Sequence, residues 1–181
     1  FISENGFREE RNWKQLKNNT SKIIKFFKKI NLNKNDRVAA YMPNCIETIE
    51  TFISTAAIGA IWSSCSPDFG INGVVERFSQ IKPKVLFITD KYFYNGKQIN
   101  VLERVPKILK KIKSIQYVVF INYPGEKYLK NQYKFKKVKI FNWSEIKKIK
   151  SEKIKFSKFD FEQGLAILYS SGTTGKPKCI C

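Results

Sequence analysis

Histidine is absent from this chain of 181 residues. A Ser-His-Asp triad, a Cys-His dyad and any His-bearing zinc site are therefore excluded within it. Cysteine is scarce, and Cys45, Cys65, Cys179 and Cys181 show no paired C-x-x-C spacing. That argues against a zinc knuckle or a disulfide framework, and for incidental thiols in a cytoplasmic protein. With 9 Gly and 6 Pro, collagen-like and low-complexity classes are out. Long apolar runs are missing too: the longest uncharged stretch, residues 51–67, is short and rich in Ser and Thr, so no membrane helix is expected. The polar, charged start shows no signal peptide.

Acidic residues and arginine are the remaining deficits. Lys+Arg total 34 against 15 Asp+Glu, for a net charge of +19. Only Arg8, Arg11, Arg37, Arg77 and Arg104 are arginines; the other basic residues are lysines, spread along the chain. A basic nucleic-acid-binding domain is one reading of this charge. Base and phosphate readers favour the planar fork of Arg, however, and the abundance of Lys, Ile, Asn and Phe points to a compositional bias, so no nucleic-acid partner is expected. What is present is core material: 43% of residues are hydrophobic and 14% aromatic. Global disorder is excluded.

Apolar residues change period along the chain. Residues 9–30 carry Trp13, Leu16, Thr20, Ile23, Ile24 and Phe27 at helical spacing. Residues 37–42 predict a strand, and Asn44 is a candidate N-cap for a helix over 46–57 that ends at Gly59. A strand over 60–65, a turn at 67–70, a helix over 73–80 and a strand over 84–89 follow. Then come a helix over 101–113, a strand over 117–121, a polar excursion over 123–133 and a strand over 138–141, with Ser144 as a candidate cap. The last strand, 165–169, reads as buried. Strands alternating with helices predict an α/β fold, with βαβ units and a mainly parallel sheet.

The segment after the last strand is the one most suited to chemistry. Tyr169-Ser170-Ser171-Gly172-Thr173-Thr174-Gly175-Lys176-Pro177-Lys178 packs hydroxyls, glycines and lysines together. Glycine admits the left-handed backbone that aims successive N–H groups at one point, while hydroxyls and Lys add donors and charge, so the loop suits a polyphosphate. A flexible Ser/Thr/Gly turn is the competing reading. The spacing is not that of Walker A, since only Thr173 and Thr174 separate Gly172 from Gly175.

The string SSGTTGKPK resembles the phosphate-binding motif of the adenylate-forming superfamily, with Cys179 standing where many members carry Gly. Gly59-Ala60-Ile61-Trp62-Ser63-Ser64-Cys65-Ser66-Pro67-Asp68-Phe69-Gly70, continued through Arg77 and Phe78 to Phe87, resembles the acetoacetyl-CoA synthetase branch. Acetyl- and propionyl-CoA synthetases are similar more loosely. The resemblance implies an AMP-forming ligase: acetoacetate attacks the α-phosphate of ATP, with Mg²⁺, and CoA then displaces AMP. It also implies that Ser170, Ser171, Gly172, Thr173, Thr174, Gly175 and Lys178 grip ATP phosphates, with Lys176 at a variable position. Arg77 falls where relatives place a basic residue near the CoA path; a surface helix residue is the plainer reading. Trp62 is expected to pack in the core, and Asp68 to cap the next helix.

The resemblance further implies that residues 1–181 are part of the large N-terminal AMP-binding domain, ending at the phosphate-binding loop 169–178. The adenine segment, the acidic metal-site residue and the mobile C-terminal domain would then lie beyond Cys181, leaving no catalytic residue here. Small molecules are the expected partners, together with the rest of the same polypeptide.

Overall fold

The computed structural model describes residues 1–126, 135, 137–154, 156–170, 175 and 177–181. The elements run in the order α1 (Trp13–Lys29), β1 (Arg37–Tyr41), α2 (Ile46–Ala57), β2 (Ile61–Cys65), α3 (Ile71–Ile81) and β3 (Val85–Thr89). These are followed by β4 (Lys91–Tyr94), β5 (Lys97–Asn100), α4 (Val105–Lys111), β6 (Tyr117–Ile121), β7 (Lys139–Asn142), α5 (Trp143–Lys147), β8 (Leu168–Ser170) and β9 (Lys178–Ile180). The main sheet has five strands in the order β2-β1-β3-β6-β7, every neighbouring pair parallel. The mainly parallel α/β sheet expected from the alternation is therefore present.

Alternation along the strands divides the core. Val38, Ala40, Val85, Phe87, Val119 and Ile121 meet Ile23, Phe26 and Phe27 of α1 and Trp143 and Ile146 of α5. Ala39, Tyr41, Leu86, Ile88, Val118 and Phe120 meet Val74 and Phe78 of α3 and Val105, Ile108 and Leu109 of α4. The period of two sends successive side chains to opposite faces, and helices cover both, as a parallel sheet requires.

Local signals explain the boundaries. Asn12, not Glu9, starts α1: its side chain accepts from the Gln15 N–H at 2.9 Å while the Gln15 side chain accepts from the Asn12 N–H. Trp13, expected on the buried face, is 86% exposed, because burial in α1 begins only at Thr20. The cap of α2 is Cys45 rather than Asn44, without a side-chain bond. Gly59 does end that helix, at φ +70, with the Phe159 ring lying where a Cβ would stand. Asn142, paired reciprocally with Glu145, caps α5 in place of Ser144. The short β4–β5 hairpin was not foreseen; Asn95 and Gly96 at its turn both have positive φ. The segment from 123 starts buried rather than exposed, with Tyr123 edge-on to Phe1 and Phe93, and residues 127–134 lie outside the described set.

Phe87 is fully buried, edge-on to Phe27 and Trp143 at ring separations of 6.1 and 6.5 Å. Replacing it by Ala is expected to lower the free energy of unfolding by about 3–5 kcal/mol, read from a chemical denaturation midpoint.

Candidate functional site

The segment leading into the hydroxyl- and glycine-rich loop is attached to the outer edge of β2. The Trp62 N–H donates to the Leu165 carbonyl at 3.1 Å, the Ile167 N–H donates to the Trp62 carbonyl at 2.7 Å, and Trp62 bridges Ala166 in parallel. The Ser63 hydroxyl donates to the Ile167 carbonyl at 2.9 Å and pairs with the Tyr169 hydroxyl at 3.1 Å. Because residues 165–167 run parallel to β2, Ser170 projects beyond the carboxyl end of that strand. Ligands of open α/β sheets gather at that end.

There the chain turns back. β8 pairs with β9 in antiparallel register, Ser170 opposite Lys178 and Tyr169 opposite Cys179. Gly175 has φ +99, in the left-handed region that suits glycine. The structure thus brings Ser170, Gly175 and Lys178 to one hairpin. Ser171, Gly172, Thr173, Thr174 and Lys176 lie outside the described residues. The expected burial of the last strand is corrected: Leu165 and Leu168 are 54% and 65% exposed, while Ala166, Ile167 and Tyr169 are partly buried against the core, since this strand adds to an edge.

Arg77 is half-buried. Its guanidinium lies 4.2 Å from the Phe69 ring centre and 5.7 Å from that of Tyr169, and Nη1 donates to the Gly73 carbonyl at 3.0 Å. It therefore sits against the strand leading into the loop and is not a free surface charge. Gln80, one turn on, donates to the Pro177 carbonyl at 2.9 Å. Neither Gln80 nor Ser63 carried a local sequence signal, because their partners are about a hundred residues away.

The turn between β2 and α3 is braced from below. Arg104 Nη1 donates to the Tyr41 hydroxyl at 2.6 Å and to the Pro67 carbonyl at 2.8 Å, and the Tyr41 hydroxyl reaches the Pro67 carbonyl at 3.0 Å. Burial pushes the Tyr41 phenol up, against the lowering effect of Arg104. Burial likewise raises Tyr169, which stays protonated. Asp68 does not cap α3, whose cap is Gly70; it accepts from the Ser66 hydroxyl at 2.6 Å. Trp62 is buried beside Phe52, as expected.

Two cavities open near this turn. One, of 240 Å³, is lined by residues following β1, β2 and β3, including Asn44, Ser66, Asp68 and Tyr92. The other, of 440 Å³, lies between Gly70–Gly73 and Lys107, Lys110 and Lys111. No group of three or more Cys, Asp or Glu able to hold a metal ion occurs among the described residues. No helix there is long and apolar enough to cross a membrane.

The parallel sheet carries the β8–β9 hairpin at its carboxyl edge, and residues 3–181 match the AMP-binding enzyme family model. The chain belongs to that family. It is 38% identical over 170 residues to acetoacetyl-CoA synthetase of Xenopus tropicalis, covering 92% of this chain and 25% of that protein. It is 39% identical over 168 residues to acetoacetyl-coenzyme A synthetase of Rhizobium meliloti (strain 1021), covering 93% and 25%. The solved acetoacetyl-CoA synthetase of Streptomyces lividans superposes with a TM-score of 0.82 at 30% identity, over 93% of this chain and 25% of that one. The chain thus spans about a quarter of the length of these relatives.

The cysteines separate by burial. Burial, then the Glu47 charge, pushes the Cys45 thiol up to about 12, and burial does the same for Cys65, also to about 12, whereas Cys179 and Cys181 are exposed. At pH 8 the buried pair is almost wholly in the unreactive thiol form. Iodoacetamide is expected to label Cys179 and Cys181 in the folded protein, with Cys45 and Cys65 labelled only after denaturation, as read by peptide mass spectrometry.

Proposed function

We propose that this chain is part of an ATP-dependent acetoacetate–CoA ligase, specifically the part of its N-terminal AMP-binding domain that carries the phosphate loop. The observation that carries the reading is the β8–β9 hairpin, which sets Ser170 opposite Lys178 around a glycine-bearing loop at the carboxyl edge of the sheet. In the reaction, acetoacetate attacks the α-phosphate of ATP, pyrophosphate leaves, and the CoA thiol displaces AMP from acetoacetyl-AMP. This chain's share of that work is to hold the β- and γ-phosphates. Ser170, Ser171, Thr173 and Thr174 offer hydroxyls, Gly172 and Gly175 permit close approach of backbone N–H groups, and Lys178 supplies charge. Such groups act by preorganisation, being in place before charge develops.

Mg²⁺ would enter with the nucleotide. The described residues fit a polyphosphate, with hydroxyl, glycine and lysine, but they include no carboxylate cage for a resident metal. Arg77 and the lysine-lined cleft beside Gly70–Gly73 suit the anionic end of CoA. The partners of this reading are acetoacetate, ATP, CoA and the remainder of the same polypeptide, not nucleic acid and not a membrane. A cytoplasmic setting accords with four unpaired cysteines. The adenine segment, the metal-site carboxylate and a mobile C-terminal domain would be supplied from outside these residues, so the 181-residue chain alone is expected to form no AMP.

The test is acetoacetate-dependent ATP–pyrophosphate exchange by the full-length protein. Exchange with acetate or propionate in place of acetoacetate would assign it to another short-chain acyl-CoA synthetase, and no exchange with any acid would overturn the ligase reading. Thr174→Val is expected to slow exchange on the order of 10²-fold, the effect of losing one preorganised donor. Lys178→Gln is expected to weaken ATP use by roughly 10-fold, the size of one charge-assisted hydrogen bond.

A further inference from the structure

We propose that Arg77 and Gln80, neighbours on one face of α3, are positioning residues that clamp the two stems of the phosphate loop; the inference rests on the phosphate-loop reading above. Gln80 Nε2 donates to the carbonyl of Pro177, immediately before Lys178, at 2.9 Å, and also to its own helix at the Glu76 carbonyl at 2.9 Å. Arg77 holds the other stem: its guanidinium lies 4.2 Å from the Phe69 ring centre and 5.7 Å from that of Tyr169, and Tyr169 immediately precedes Ser170. One helix face therefore grips the chain on both sides of the loop.

The face is built for this contact. A Cβ at Gly73 would lie 3.2 Å from the Phe69 ring and 3.5 Å from Arg77 Nη1, so glycine there leaves room for the stacked guanidinium. The Gly73 carbonyl then accepts from Arg77 Nη1 at 3.0 Å and fixes its direction. The clamp also meets a need. β8 and β9 pair over three residues each as a separate two-stranded unit, and such a short hairpin is marginal alone. A loop that must place donors on transferring phosphates tolerates little displacement: an error of about 1 Å costs on the order of 10²-fold. Helix stability has other sources, since Val74 and Phe78 of α3 are fully buried in the core while Gln80 is exposed. Loss of the clamp is therefore separable from loss of the fold.

The experiment compares Gln80→Ala, Gln80→Glu and Arg77→Met in the full-length protein. Three readouts are taken: KM for ATP and for CoA against kcat, the melting temperature, and amide hydrogen exchange of the peptide spanning residues 165–181. Gln80→Ala is expected to raise KM for ATP about five-fold, the value of one ordinary hydrogen bond, with KM for CoA and the melting temperature unchanged. Gln80→Glu should be worse, because a carboxylate facing a carbonyl cannot donate. Arg77→Met should raise KM for ATP similarly, and all three should speed exchange in 165–181. Unchanged exchange in every variant would overturn the clamp, as would a lowered melting temperature with KM for ATP intact. A rise in KM for CoA alone in Arg77→Met would remove Arg77 from the clamp and leave it on the CoA path. Faster exchange in a protein whose unaltered form shows no acid-dependent ATP use would place the failure in the phosphate-loop reading, with α3 still holding the hairpin.

Discussion

Two-sided burial of β1, β3 and β6 is the constraint from which the rest of the structure follows. A parallel strand cannot leave one face to water when crossover helices lie on both sides, so nearly every position of these strands is apolar. Val85–Thr89 is buried throughout, with Val85 and Phe87 on the side of α1 and α5 and Leu86 and Ile88 on the side of α3 and α4. The strand order β2-β1-β3-β6-β7 then makes the loops after β1 and β3 diverge, opening a crevice at the carboxyl end of the sheet.

The candidate site uses one of the two edges of that sheet, the outer side of β2. β2 is an outer strand, and residues 165–167 pair along it, carrying Tyr169 and Ser170 past its end. Ser63 pins this segment from the sheet, Arg77 of α3 lies against Tyr169, and Gln80 of α3 donates to Pro177 just before β9. The hairpin stems are thus held by β2 and α3, both anchored in the core. The same logic places Arg104 and Tyr41 under the turn at Pro67–Gly70, fixing where α3 begins.

Much of this organisation was legible in the sequence. The change from helical to strand period marked α1, β1, α2, β2, β3 and β6, because burial on one stripe or on two faces leaves an imprint on residue order. The segment 169–178 stood out in composition, since few local structures use hydroxyls, glycines and lysines together. Errors fell where short-range cues compete. Asn44 looked like a cap, but Cys45 holds the extended backbone that starts α2. Trp13 shares a stripe with Ile23 and Phe27, yet only the later half of α1 meets the sheet. Leu165 and Leu168 are as apolar as any core strand, but an edge position leaves them exposed.

By itself, the sequence determined the class of fold and singled out one loop as a candidate site, because periodicity and composition are local properties of the chain. Only the tertiary structure decided which strand became the edge, which helix face met the loop, and that Ser63, Arg77 and Gln80 would gather around Tyr169 and Pro177. These pairings join residues from 92 to 106 positions apart or thereabouts in the chain, a separation of about a hundred residues across which no local pattern reaches. They exist because the fold sets β2 and α3 side by side and leaves the outer side of β2 open to the returning chain.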